Sequence, residues 1–316
     1  MKNIVVIGGG TGTYTVLLGL KKYPVNLAAV VSMADDGGST KILREEFGVL
    51  PPGSVRPAMV ALSEAGETLT GLFNYRFSEG SLKGHNFGNL FLTALTKQLG
   101  SFEKAIDEAG KLLKLQGRVI PSTLEDIRLC VELGNGQVIE GETNIDVPQH
   151  DGNLKIEKVW LQPAAKANPK AIESVKNADL IVIGPGDLYS SIIPNFLVQG
   201  MKEALRASRA KKVYVCNLMT KFGETTRFTA HDFVAAVESH IGDRIFDYVI
   251  VNTKRPSKER VREYEKENAK FVEYNLEKFK GANFRIVEHD VMRVKGLVHH
   301  DPDILAQLLY KIVTKK

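Results

Sequence analysis

Five short apolar runs in this chain share one behaviour that sharply narrows the possible folds. Each is rich in β-branched residues, each stops at a glycine or a small polar residue, and a helical pattern follows. They cover residues 4–7 (into Gly8), 27–31 (into Ser32), 180–183 (into Gly184), 213–216 (into Asn217) and 248–251 (into Asn252). A strand covered by helices on both faces has no solvent side, so it reads as a continuous apolar run rather than an alternating one. Repeated with intervening helices, the pattern predicts an α/β fold with a doubly wound, mostly parallel, Rossmann-like sheet.

The stretch from about 118 to 161 reads differently. Residues 128–132 and 137–140 flank Gly134-Asn135-Gly136, and Asn-Gly supplies the positive φ angles of a tight hairpin turn. A further alternating stretch, 154–160, follows His150-Asp151-Gly152-Asn153. These signals predict an antiparallel β excursion inserted at about 118–161 into a single domain spanning 1–316. Helix punctuation supports the frame: Thr229 with Asp232 makes a capping box, and Asp301-Pro302 starts a last helix over 302–313.

With 43% apolar and 25% charged residues among 316, the chain has the balance of a globular protein, not of a disordered or fibrous one. No apolar stretch approaches the roughly 18 residues of a membrane span, and the start reads as a strand rather than a secretory leader. A cytoplasmic protein without membrane insertion is expected. Cys130 and Cys216 lie far apart with no CxxC and no partnering His cluster, which predicts buried, reduced thiols. The net charge of +5 is spread out, and over 254–270 Lys and Arg alternate with Glu, as on a solvated helix face. No nucleic-acid partner is expected, whereas the modest positive excess suits a small anionic ligand. The pattern is compatible with a homo-oligomer.

Three loops could carry chemistry. Gly8-Gly9-Gly10-Thr11-Gly12-Thr13 follows a strand and precedes an apolar helix; backbone N–H groups without Cβ atoms can approach a phosphate closely, and the helix dipole favours it. The loop is not a P-loop, and it departs from GxGxxG because Thr13 stands at the third glycine. In the second loop, Asp35 and Asp36 precede Gly37-Gly38-Ser39-Thr40-Lys41, and the paired carboxylates, with Ser39 and Lys41, are candidates to hold a ribose, a sugar hydroxyl or Mg²⁺. Ser32 stands where a nicotinamide-binding fold places an acid for the ribose. The third loop, Gly184-Pro185-Gly186-Asp187, gives a second glycine turn at a strand end, as a crevice at a topological switch point requires. Asn217 ends the fourth run in the same way. His85-Asn86-Phe87-Gly88-Asn89 opens a helix, with His85, Asn86 and Asn89 as candidate contacts to a base or sugar. His299-His300 reads as a surface cap region rather than a metal site, since no third ligand lies at useful spacing. Tyr264 and Arg293 are candidates for closing the far end, by stacking and by bidentate pairing with a diphosphate.

Taken together and in order, these loops resemble the gluconeogenesis factor family (YvcK-like proteins), a branch of the superfamily that includes the 2-phospho-L-lactate transferase CofD. The likeness also rests on Gly48-Val49-Leu50-Pro51-Pro52-Gly53, residues 85–90, Ser191-Ile192-Ile193-Pro194-Asn195 and Gly223-Glu224-Thr225, and it covers nearly the whole chain. This chain departs from the family's usual pattern at Ser54, Asp187 and Lys221-Phe222, all in candidate ligand loops. The resemblance implies a cytoplasmic protein that binds a nucleotide sugar such as a UDP-sugar and supports cell shape and wall synthesis during gluconeogenic growth. The transferase branch instead implies Mg²⁺-dependent transfer of a phospholactyl group from an activated nucleoside diphosphate, with Asp35 and Asp36 holding the metal. A third reading, an oxidoreductase binding an NAD-like dinucleotide, is weakened by Thr13 and Ser32. The sequence shows no evident nucleophile and base, which favours the binding protein.

Overall fold

The computed structural model describes residues 1–315. The five apolar runs become neighbours in one seven-stranded sheet. Its strands are β1 (Lys2–Gly8), β2 (Val25–Val31), β3 (Arg118–Pro121), β7 (Leu180–Ile183), β8 (Lys211–Val215), β9 (Tyr248–Asn252) and β10 (Arg285–His289). The order is β10-β9-β8-β7-β1-β2-β3, and every adjacent pair is parallel. Ile4 to Ile7 and Leu180 to Ile183 are all buried, as continuous apolar runs between two helical layers must be.

The topology places the ligand region before any side chain is considered. From β1 the chain builds outward through β2 and β3; from β7 it builds the other way through β8, β9 and β10. The order therefore reverses between β1 and β7, whose last residues lie side by side with Ile7 opposite Ile183. The loops leaving these two strands diverge to opposite faces and leave a crevice between them.

The insertion is smaller than the sequence suggests. Residues 118–121 do not belong to the antiparallel excursion; they form the β3 edge of the main sheet, parallel to β2. Val119, Ile120 and Pro121 are all buried in the structure, and a short unbroken run is what a covered parallel strand needs. A long crossover joins β2 to β3 through α1's successors: with α1 at Gly10–Leu20, these are α2 (Gly38–Phe47), α3 (Pro52–Leu62), α4 (Glu67–Asn74), α5 (Phe87–Leu99) and α6 (Phe102–Leu112). The excursion proper is a three-stranded antiparallel sheet of β4 (Arg128–Leu133), β5 (Val138–Glu140) and β6 (Ile156–Gln162), ordered β5-β4-β6. The Asn-Gly hairpin joins β4 to β5, and a one-turn helix α7 (Glu142–Asp146) follows. Arg44 of α2 ties this sheet to the core: it is buried, donates to the Ile127 carbonyl at 2.7 Å and the Asp35 carbonyl at 2.8 Å, and pairs with Asp126.

The predicted caps are present. Thr229 and Asp232 form the reciprocal capping box, and Asp301 accepts from Asp303 N and Ile304 N at the head of the helix Pro302–Thr314. Cys130 and Cys216 are buried, unpaired thiols.

Candidate functional site

The carboxyl ends of β1 and β7 open into a cleft of ≈ 590 Å³, ample for a nucleotide-sized ligand. Gly9, Gly10, Thr11 and Gly12 form one wall. Gly10 has φ +61°, which lets the chain turn straight from strand into helix without a steric penalty. No side chain caps α1, so the N–H groups of its first turn are left for an anion. Gly12 serves a different purpose. A Cβ there would fall 2.5 Å from the Pro185 carbonyl carbon and 3.0 Å from Gly186 N, so its absence lets the first and third loops touch. Thr13 lies beneath the loop; its Oγ1 is buried without a partner among the described residues and blocks any Cβ at Gly8.

Gly186 and Asp187 form the facing wall, with Gly184 (φ +71°) behind them. Asn217 Nδ2 donates to Gly186 O at 2.8 Å and so braces this loop from β8, while its buried Oδ1 has no partner among the described residues. Along one side, oxygens of Asp146, Asp187 and Glu224 all lie within 4.8 Å of one another. Glu224 is buried, accepts from Tyr189 N at 2.8 Å, Ser190 N at 3.1 Å and Ser190 Oγ at 2.7 Å, and is pushed up to about 8 by burial and by Asp187. Burial also raises Asp187. Lys221 Nζ sits 3.0 Å from Asp146; burial opposes its charge, but Asp187 and Asp146 outweigh burial and raise its pKa. Three hard oxygen donors on separate elements could hold a divalent cation, and Lys221 already supplies one positive charge there.

The C-terminal third closes the far end, where Tyr264, His299 and His300 line the cleft. The histidine pair is not a surface cap region. His300 is 7% exposed, its Nε2 donates to the Cys216 carbonyl at 3.1 Å, and burial lowers it to about 4. Adjacency to Asp301 concealed this, because the cap is made by Asp301 alone while the loop before it turns inward. Tyr264 Oη donates to the Val298 carbonyl at 3.3 Å. Arg293 does not line the cleft; its N–H donates to His299 O at 2.9 Å, and its charge helps burial to lower His299.

The second loop is not at the cleft wall. Asp35 is largely buried, accepts from Gly37 N at 2.9 Å and Thr40 Oγ1 at 3.1 Å, and packs against Gly53. Burial raises its pKa. Asp36 accepts from Thr143 N at 2.8 Å and so latches α7 to the core. Ser39 is buried, and Lys41 is exposed beside Glu45 at 4.0 Å. Neither Asp35 nor Asp36 joins the carboxylate trio. Glu142 stands between the two acidic groups, pushed up to about 9 by burial and by the charges of Asp35, Asp146, Asp36 and Glu224. Likewise His85, Asn86 and Asn89 lie outside the cleft lining, at the head of α5, where Asn86 accepts from Asn89 N.

Sequence reasoning assigned no role to Asp146, Lys221 and Glu224. Glu224 stands within the Gly223-Glu224-Thr225 segment that carries the family likeness and Lys221 is one of the departures beside it, but Asp146 comes from the excursion, and no spacing in the chain links it to Asp187.

Comparison with known proteins bears on the family and the fold. The model of the family described as 2-phospho-L-lactate transferase CofD matches residues 4–292. A Nostoc sp. relative is 46% identical over 98% of this chain and 68% of its own length. Gluconeogenesis factors of Listeria innocua and Bacillus subtilis are 40% and 39% identical, covering 99% and 98% of this chain and 96% and 98% of theirs. A crystal structure of a Bacillus halodurans protein, a member of the UPF0052 family, superposes with a TM-score of 0.93 at 38% identity, over 98% of this chain and 99% of that one. On sequence match along nearly its whole length and on fold, the chain belongs to the CofD family, in the branch of the gluconeogenesis factors.

Proposed function

We propose that the cleft binds a nucleotide sugar, such as a UDP-sugar, and that the protein acts as a cytoplasmic regulatory binding protein rather than as a nucleic-acid or membrane protein. The observation that carries this reading is the pair of glycine loops meeting at the switch point, with the uncapped head of α1 between them. The diphosphate would lie on Gly9, Gly10 and Thr11, where N–H groups and the helix dipole favour negative charge. Asn217 Oδ1, which has no partner among the described residues, would accept from a ribose or sugar hydroxyl, and Tyr264, which lines the far end, would contact the base. Among the described residues no helix is long and apolar enough to cross a membrane. The relatives' name, gluconeogenesis factor, supports a role in gluconeogenic growth, and the link to cell shape and wall synthesis is part of the same proposal.

One observation favours a second reading, a Mg²⁺-dependent transferase of the phospholactate type. The trio of Asp146, Asp187 and Glu224 presents the oxygen donors that Mg²⁺ prefers, beside the phosphate loops. Bound there, the cation would neutralise charge developing on a bridging phosphate. The protein's own residues would hold the donor's phosphates on the loops and exclude water through the loop before His300. An NAD-like dinucleotide is disfavoured because Ser32 Oγ accepts from its own loop, at Ala34 N, and offers no carboxylate to a ribose.

Calorimetric titration with UDP-sugars, UDP and NAD, with and without Mg²⁺, tests the choice. The variant Gly10→Asp is the control, because a Cβ there meets nothing closer than Ser191 Oγ at 3.9 Å, Asp tolerates φ near +60°, and its charge repels phosphate. Saturable UDP-sugar binding without metal, lost in Gly10→Asp, is expected. Binding only with Mg²⁺ moves the assignment to the transferase, and binding unaffected by Gly10→Asp removes the glycine loops from the site.

A further inference from the structure

The head of α5 gathers polar groups that the cleft does not use. Arg56 reaches it from α3: its Cδ lies 2.8 Å from where a Gly88 Cβ would stand, so the absent side chain seats the arginine's stem on the first turn of α5. Arg76 reaches it from the strap after α4, through a backbone bridge to Asn86, the N-cap residue. Each guanidinium donates to one neutral acceptor, Arg56 Nη1 to Asn74 Oδ1 and Arg76 Nη1 to the Gly84 carbonyl, both at 2.6 Å. Neither forms an ion pair among the described residues. Two arginines thus flank the positive end of a 13-residue helix with no carboxylate in contact.

Buried groups without partners cluster at the same turn. Among the described residues they are Arg56 Nε, His85 Nδ1 and Asn89 Oδ1, the last on a residue only 4% exposed. Buried polar atoms are nearly always paired, so three orphans, one in the first turn of α5, one just before it and one on the arginine seated against Gly88, call for an explanation. All three can donate: Nε always does, Nδ1 does in one tautomer, and the Asn89 amide does once rotated by 180°. Convergent donors, two fixed positive charges and a helix head match an oxyanion and repel a cation. Two charges match a dianionic phosphate better than a carboxylate.

We infer that Arg56, Arg76, His85 and the first turn of α5 form a second anion site, which takes a phosphoryl group. It shares no residue with the lining of the glycine-loop cleft, and its existence does not depend on what the cleft binds. Arg76 is exposed and forms the entrance, whereas Arg56 and Asn89 form the floor.

Phosphate titration at low ionic strength, followed by calorimetry, tests this with inorganic phosphate as the probe and acetate as the comparison. Arg76→Gln is the main variant because the side chain is exposed and its loss leaves the fold intact. Arg56→Lys keeps the stem and the charge but loses the fork. Saturable phosphate binding, preferred over acetate, weakened tenfold or more by Arg76→Gln and severalfold by Arg56→Lys, is expected, with Gly10→Asp within twofold of the parent. No saturable phosphate binding, an Arg76→Gln affinity within twofold of the parent, or loss of binding in Gly10→Asp overturns the inference.

Discussion

Replacing Gly12 with Ala probes whether the first and third loops are built against each other. The added Cβ would sit 2.5 Å from the Pro185 carbonyl carbon and 3.0 Å from Gly186 N, and closer still to the Pro185 oxygen. These are backbone atoms, held from behind by Gly184 N donating to Ile7 O at 3.1 Å and by Asn217 Nδ2 on Gly186 O at 2.8 Å. Normal contact requires the two loops to part by roughly an ångström. Forced overpacking costs about 1–3 kcal/mol, and a rigid backbone obstacle places this case at the upper end. Alanine recovers up to about 1 kcal/mol of helix propensity at a helical site, leaving a net loss of about 2 kcal/mol. In a chain of 316 residues that lowers Tm by roughly 3 °C. Gly10→Ala is the comparison: its Cβ meets nothing closer than Ser191 Oγ at 3.9 Å, so only the cost of a positive φ remains, about 1 kcal/mol. Thermal unfolding followed by circular dichroism should rank the parent above Gly10→Ala and Gly10→Ala above Gly12→Ala. A Gly12→Ala variant as stable as Gly10→Ala would refute the packing argument.

Three other variants test the acidic groups in and near the cleft. Glu142 holds a proton in the folded state that the unfolded chain releases near its ordinary 4.5, so ligand-free stability should fall as pH rises from about 4.5 to about 9; Glu142→Gln should flatten that slope in urea titrations, and an unchanged slope would place the charge elsewhere. Lys221→Met removes the cation beside Asp146, and since a unit charge at about 4 Å is worth up to about 4 kcal/mol near a protein surface, Mn²⁺ should bind at least tenfold more tightly by calorimetry; equal affinity in parent and variant would show that the trio is no cation site. Asp36→Asn weakens the latch on Thr143 N and should cost about 1 kcal/mol of stability, with UDP-sugar affinity within twofold of the parent; a tenfold loss would return Asp36 to the ligand site.

What the chain's own pattern determined was the sheet and the loops that leave it. A buried parallel strand must be apolar throughout and must end where the backbone turns into a helix, so runs such as 4–7 and 180–183 announce both the strand and its glycine loop, and Gly9, Gly10, Gly186 and Asn217 followed from that. Tertiary structure alone decided which polar residues meet. Asp146 reaches Asp187 and Glu224 because α7 of the inserted sheet is folded back over the cleft, and its separation from them along the chain carries no periodic signal. Asp35 and Asp36 look like ligands in sequence because adjacent carboxylates beside glycines suit that role, yet Asp35 accepts from Gly37 and Thr40, Asp36 Oδ1 accepts from Thr143 N, and neither lines the cleft. Likewise β3 joined the main sheet through the register it found beside β2, and Arg56 met α5 only because Gly88 leaves room for its stem. Local pattern records what one segment needs from solvent and backbone, whereas the meeting of charges from distant segments is set by how the layers close, since that closure determines which of them lose water together.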